Sequence, residues 1–221
     1  MNSTHDLGGT HGHGSIDQSQ KQNFACEWEE KVFSLTLACG MLGKWNLDET
    51  RFARESMDPG EYLMSGYYEH WLHGLETLLL AKGLVSDEEL ANGVARSSAG
   101  IDAASPESVG EKLRRGGPTE METDSSPVYQ TGDWVRVRRL NPKSHIRAPR
   151  YIHGCRGRIR SHYGAHILPD EHACSGKKVA SHLYSIEFAA EELWGPADCE
   201  PRSPVFVDVF EPYIEGLANA V

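Results

Sequence analysis

The chain has 221 residues, of which 39% are hydrophobic and 24% charged, with a formal net charge of −10. That apolar share suffices for one or two modest cores and excludes the low-hydrophobicity, high-charge composition of a disordered chain. Five cysteines (Cys26, Cys39, Cys155, Cys174 and Cys199) are odd in number and contain no C-x-x-C pair, which argues against a disulfide framework or a zinc finger and for a reducing, cytoplasmic setting.

The opening "MNSTHDLGGTHGHGS" has no basic region followed by an apolar run, and the apolar stretch "VFSLTLACGML" is too short and interrupted to cross a bilayer, so a soluble protein is expected. After this polar arm, "FACEWEEKVFSLTLACGMLG" places Phe24, Trp28, Val32, Leu35 and Cys39 at helical spacing before Gly40 and Gly43. Asn46 with Glu49 has the spacing of a capping box, and Asp58 followed by Pro59 is a second helix-opening pattern. A longer helix is predicted from a Ser65 cap to Gly83, and Ser86, Glu89 and Gly93 repeat the cap-and-glycine pattern. The segment 94–127 is dominated by Ala, Ser, Gly, Pro and Glu, the composition of a linker or mobile loop. Beyond it the period changes to two in "TGDWVRVRRL", "HLYSIEFA" and "PVFVDVFEPYIE", which predicts short strands in a small antiparallel barrel. The division expected is 1–93, arm and helices; 94–127, linker; 128–221, small β-barrel.

Charge is uneven along these parts. Residues 1–93 carry 6 Lys and Arg against 15 Asp and Glu, whereas 128–221 carry 12 against 11. Between Trp134 and Pro169 there are nine Lys or Arg and no acid. Such a block must be solvated, bound to an anion or matched by another chain.

Self-contained catalysis finds little support. No G-x-S-x-G, phosphate loop of the G-x-x-x-x-G-K type or catalytic cysteine signature occurs. His70 and His73 lie one turn apart near Glu69 and Glu76, and His5, His11 and His13 crowd the arm, but without the H-E-x-x-H spacing these read more simply as surface or packing histidines. Tyr67, Tyr68 and Trp71 form an aromatic cluster that core packing alone accounts for in most proteins, although tyrosine hydroxyls at the edge of an apolar pocket can also donate hydrogen bonds.

Taken in order, "HDLGG", "LDETRFARESMDP", "YYEHWLHGLE", "HIRAPRYIHGCRGRI", "FAAEELWG" and "VFVDVFEPYIE" resemble the nitrile hydratase beta subunit, across both halves of the chain. Thiocyanate hydrolases split the equivalent chain in two, so the joined halves favour the hydratase. The resemblance implies an α+β architecture in two parts, a helical half with an extended arm and then a small Src-homology-3-like antiparallel β-barrel. It implies a partner alpha subunit whose cysteine-rich motif, with two oxidised cysteines, holds cobalt or, less typically, iron, while this chain binds no metal. The reaction implied is hydration of a small nitrile to its amide in an alpha–beta heterodimer or larger assembly, the metal acting as Lewis acid or activating water, with sulfenate attack as the competing mechanism.

Carried over by motif position, the arginines that reach the oxidised cysteine oxygens are Arg51 of "ETRFARE" and Arg147 of "HIRAP", and the pocket tyrosine is Tyr67, the three positions counted as catalytic. Trp71 falls on an aromatic pocket wall, a tryptophan there being more typical of the cobalt type, and His70 is a candidate proton relay. Two other readings are a nucleic-acid-binding small barrel, whose affinity must fall steeply with salt, and an assembly chaperone for a metalloenzyme, which resembles only the amino-terminal half. No membrane or nucleic-acid partner follows from the favoured reading.

Overall fold

The computed structural model describes residues 2–16, 18–19, 22–96, 100–196 and 203–220; Cys199, parts of the linker and single positions of the arm, Asp17 among them, lie outside the described residues. The chain divides into two compact units, one of Ser3–His5 and Thr10–Gly117, the other of Met1–Asn2, Asp6–Gly9 and Pro118–Val221.

The first unit is helical: α1 (Glu27–Gly40), α2 (Leu47–Glu55), α3 (Pro59–Met64), α4 (Tyr67–Ala81), α5 (Asp87–Asn92) and α6 (Pro106–Arg115). The Asn46 side chain accepts from the amides of Asp48 and Glu49 while Glu49 reaches back to the Asn46 amide, so the first orphan donors of α2 are satisfied from within the motif. Asp58 caps α3, and the Ser86–Glu89 box opens α5, which closes at Gly93 in the left-handed region. The predicted Ser65 cap of α4 is corrected by one residue. Ser65 closes α3, and the N-cap of α4 is Gly66, whose amide donates to Glu69.

In α1 the expected apolar face is also displaced, with Val32 and Thr36 buried and Trp28 and Leu35 exposed. The helix turns inward the strip on which Thr36 satisfies its hydroxyl by donating to the Val32 carbonyl, at 2.8 Å. Trp45, Ala53, Leu75 and Leu78 form the core, with Cys39, Leu79 and Leu84 against it. Each fully buried leucine of this kind stabilises the unit by roughly 1.5–3 kcal/mol. Helix α6 lies inside the segment whose composition reads as linker: Pro106 at its first turn and Lys112, Arg114 and Arg115 in its last supply helix-terminal preferences that the small-residue content masks.

The second unit holds β1 (Trp134–Val137), β2 (Arg156–Ile167), α7 (Pro169–Ser175), β3 (Ala180–Ala189), α8 (Ala190–Trp194), β4 (Pro204–Phe210) and β5 (Ile214–Leu217). All pairings are antiparallel, in the order β4-β3-β2-β1-β5. The hydrogen-bonded sheet is open, with β4 and β5 as its edges and no ladder joining them among the described residues. "PVFVDVFEPYIE" is two strands instead of one alternating run, because Glu211–Tyr213 form a 3-10 turn at Pro212. Val135, Val137, Ile152, Ile159, Tyr184, Ile186, Phe188, Val209 and Ile214 form its core. At Gly157 a Cβ would stand 2.6 Å from Ile186 Cγ2 and 2.8 Å from the Glu187 carbonyl oxygen, so only glycine lets β2 lie this close to β3.

Candidate functional site

In the helical unit, α2 carries Arg51 and Arg54, α4 carries Tyr67, His70 and Trp71, and the two helices meet where Arg54 lies over the Trp71 ring. Arg51 follows Asp48 by three residues, which places the two on one helix face, and its Nη1 donates to Asp48 Oδ1 at 2.9 Å. The Asp48 side chain is 9% exposed and that of Arg51 is 39% exposed, so a buried carboxylate holds one end of a guanidinium that is itself partly exposed.

Tyr67, at the first turn of α4, is 65% exposed, with its ring 5.2 Å from Tyr68 and 5.8 Å from Trp71, centroid to centroid. Trp71, one turn on, is bounded by Phe33, Tyr67 and Tyr68, each at 5.8 Å. The fourth neighbour escaped the sequence reading: the Arg54 guanidinium carbon lies 3.7 Å from the Trp71 ring centroid. Burial holds Arg54 below the ordinary arginine value; the Tyr67 hydroxyl opposes that shift and the nearby Arg51 charge adds to it. A signal existed, since "ETRFARE" puts two arginines three apart on one helix.

His70 stacks on Tyr62 at 4.0 Å, and its Nε2 lies 2.9 Å from the Tyr62 carbonyl oxygen. A carbonyl only accepts, so Nε2 carries the proton and Nδ1 holds the lone pair in the neutral ring. This histidine therefore ties α3 to α4.

Arg147 belongs to the other unit, and its surroundings are described by themselves. It is exposed between buried His145, Ile146 and Ala148, so the flanking residues anchor the loop and the guanidinium projects outward. The Arg147 amide donates to the Tyr213 hydroxyl at 3.3 Å, and that hydroxyl donates to Asp170. Burial, reinforced by the Asp170 charge and hydrogen bond, pushes the Tyr213 phenol far above its usual range. Asp170 is itself raised by burial, against the opposing pull of Tyr213 and His145. Among the described residues the Arg147 guanidinium has no hydrogen-bonding or ion-pairing partner.

Its companions in the arginine block are matched within the chain. Arg156 meets Glu192 through two side-chain bonds, Nε to Oε1 at 3.2 Å and Nη2 to Oε2 at 3.1 Å. Arg158 donates to the Gly132 carbonyl at 3.3 Å, and Arg160 pairs with Glu187 at 2.8 Å. The Arg150 amide donates to Asp6 at 2.7 Å. Part of the acid-free run in sequence is thus countered by carboxylates from elsewhere in the fold: Asp6 for Arg150, Glu192 for Arg156 and Glu187 for Arg160. Arg156, Arg158 and Arg160 alternate along β2 with Gly157, Ile159 and Ser161, a period of two that identifies a strand with one charged face.

Near the start of the arm, Gly8 and Gly9 lie against Tyr151 and Trp194, and His5 lies 3.8 Å from Glu55. Among the described residues, no three His, Cys, Asp or Glu side chains gather as a metal site, and no helix is long and apolar enough to cross a membrane.

A two-part α+β chain with arginines presented from both units is the class these features define. Two family models match it in succession: nitrile hydratase beta subunit, N-terminal, over residues 1–118, and nitrile hydratase beta subunit, C-terminal, over residues 118–216. The cobalt-containing nitrile hydratase subunit beta of Pseudonocardia thermophila is 37% identical, covering 97% of this chain and 96% of that one. The low-molecular weight cobalt-containing nitrile hydratase subunit beta of Rhodococcus rhodochrous is 34% identical, covering 97% and 99%. A recombinant apo-enzyme structure of thiocyanate hydrolase from Thiobacillus thioparus aligns with a TM-score of 0.38 at 22% identity, over 41% of this chain and 76% of that one. The chain belongs to the nitrile hydratase beta-subunit family, whose enzyme hydrates nitriles to amides.

Proposed function

We propose that this chain is the beta subunit of a cobalt-type nitrile hydratase, working in the cytoplasm as an alpha–beta pair or a larger assembly of such pairs. The observation that carries the reading is the unbroken succession of the two family matches over residues 1–216, which spans both arginine-bearing units. The cobalt preference rests on the two cobalt-containing relatives and on Trp71.

The donor set fits a supporting role toward the metal centre. Exposed guanidinium groups suit the oxygens of oxidised cysteine ligands, whereas they cannot ligate a metal. The cobalt of the partner, when bound, supplies a Lewis acid for hydration of the nitrile carbon. Arg51 and Arg147 each direct charge-assisted hydrogen bonds at oxidised sulfur oxygens, fixing the geometry of those ligands. Tyr67 donates from its phenol toward the nitrile end of the pocket, and Trp71 forms an apolar wall that orients the substrate. His70, oriented by its Tyr62 contact, offers the Nδ1 lone pair as a proton acceptor.

The second unit reads as a partly open Src-homology-3-like barrel. What supports this reading is that the two edge strands are joined by a turn of three residues, a connection too short for the width of a flat five-stranded sheet. We read 1–93 as arm and helical domain, 94–127 as linker and 128–221 as barrel domain.

The test is expression of the chain alone and together with its partner. The lone chain should hold no stoichiometric cobalt, iron or zinc and hydrate no nitrile, whereas the co-purified pair should do both at about one metal per pair. Turnover by the lone chain, or a metal-loaded pair without turnover, contradicts the reading.

A further inference from the structure

We infer that Arg54 is a further positioning residue of the nitrile site, holding the Trp71 indole in place as a wall and so setting which nitriles the pocket admits. This rests on the proposed role of Trp71, and it concerns a residue to which that proposal gives no part.

Three observations converge on it. The guanidinium carbon is 3.7 Å from the ring centroid, well inside cation–π range. Arg54 Nε and Trp71 Nε1 are both buried without a hydrogen-bond partner among the described residues, so no polar contact on these atoms competes for either group. Across the helix interface, α4 carries Gly74 where the arginine stem passes, and a Cβ there would stand 2.7 Å from Arg54 Cγ.

Packing alone does not require this arrangement. A leucine or methionine fills the same space without an unsatisfied donor, whereas a half-buried cation beside Arg51 carries a desolvation and repulsion cost. What the guanidinium adds is attraction for the face of an aromatic ring. Phe33, Tyr67 and Tyr68 bound the indole on other sides, so Arg54 completes a cage that restricts tilt of Trp71.

The experiment uses the complex co-purified with its partner subunit, carrying Arg54→Met, Arg54→Lys, Gly74→Ala, Trp71→Leu, or Arg54→Met with Trp71→Leu. Steady-state kcat and KM are measured for one small aliphatic and one bulky aromatic nitrile, with metal content and subunit ratio checked. Arg54→Met should change the ratio of the two kcat/KM values by about fivefold, mainly through KM, the size expected when a single cation–π contact is lost. Arg54→Lys should restore most of that ratio, and Gly74→Ala, which displaces the stem while leaving every charge in place, should shift it in the same direction. In the Trp71→Leu background, Arg54→Met should add no shift.

An unchanged ratio in assembled Arg54→Met overturns the inference, as does an equal shift in both backgrounds. Should Arg54→Met fail to assemble, an unchanged ratio in Gly74→Ala overturns it. Failure of the unsubstituted complex to hydrate either nitrile would instead count against the proposed function itself.

Discussion

Tyr213→Phe removes one hydroxyl that serves two masters, and its consequences can be worked from the structure. Tyr213 is 2% exposed, accepts the Arg147 amide at 3.3 Å and donates to the half-buried Asp170. A hydrogen bond to a charged group contributes about 1.5–3 kcal/mol, and the long amide contact adds less than about 1 kcal/mol. The variant should therefore lose about 2–3 kcal/mol near neutral pH, a fall in Tm of about 10 °C or more for a unit of this size. The pH dependence follows from Asp170, whose folded pKa is raised above its ordinary value of 3.8 by burial, with Tyr213 pulling it back down. A carboxyl raised in this way binds its proton more tightly when folded, so its contribution to stability falls as pH rises from 3.8 through the folded value. Without the hydroxyl the folded value climbs further. The deficit of the variant should thus be largest near pH 7 and shrink at about pH 3, where Asp170 is protonated in both states. Urea or thermal unfolding of the full-length chain at the two pH values decides the matter. A deficit under about 0.5 kcal/mol at neutral pH, or one that grows on acidification, refutes the reasoning.

Two further outcomes are expected. Gly157→Ala puts a methyl 2.6 Å from Ile186 Cγ2 and 2.9 Å from Phe188 Cδ1, so unfolding should show a loss of about 1–3 kcal/mol; an unchanged midpoint would mean that β2 and β3 have more room than their packing indicates. Deleting the arm through Ser19 should weaken association with the partner subunit in analytical ultracentrifugation, because most of the segment 7–19 is exposed on this chain. Unchanged association there would argue that the arm serves only its own fold, through contacts such as Asp6 with Arg150.

Helix starts were the most legible part of the sequence, because the capping chemistry of Asn46–Glu49, Asp58 and Ser86–Glu89 is local and needs no tertiary partner. Strand β2 was obscured by its arginines, whose charge invites a search for an outside anion, whereas their counter-charges Glu187 and Glu192 arrive from distant parts of the fold. Helix α6 was hidden by its setting, since Val109 and Leu113, four residues apart, are a weak apolar signal within a segment otherwise dominated by Ala, Ser, Gly, Pro and Glu. At the site, Arg51, Tyr67 and Trp71 could be placed on α2 and α4 from motif and spacing. The Arg54–Trp71 contact depends on how two helices cross at Gly74, a property of packing that neither helix encodes alone. His70 shows the same limit, for its hydrogen bond runs to a backbone carbonyl eight residues away.

The central claim is that Arg51 and Arg147 act through the geometry of the guanidinium and not through charge alone. Lysine keeps the charge but loses the planar fork of donors. The measurement is steady-state hydration of a small nitrile by the assembled complex carrying Arg51→Lys, Arg147→Lys or Arg150→Lys, with metal content and subunit ratio verified for each. Loss of charge-assisted bonds of roughly 1.5–3 kcal/mol predicts at least about a tenfold fall in turnover for Arg51→Lys and Arg147→Lys. Arg150→Lys should be mild, because the 2.7 Å bond from the Arg150 backbone amide to Asp6 survives any side chain and lysine keeps the charge of the longer, 4.0 Å side-chain ion pair. Fully metallated Arg51→Lys and Arg147→Lys complexes that work as well as the parent, or an Arg150→Lys complex more impaired than either, would contradict the account.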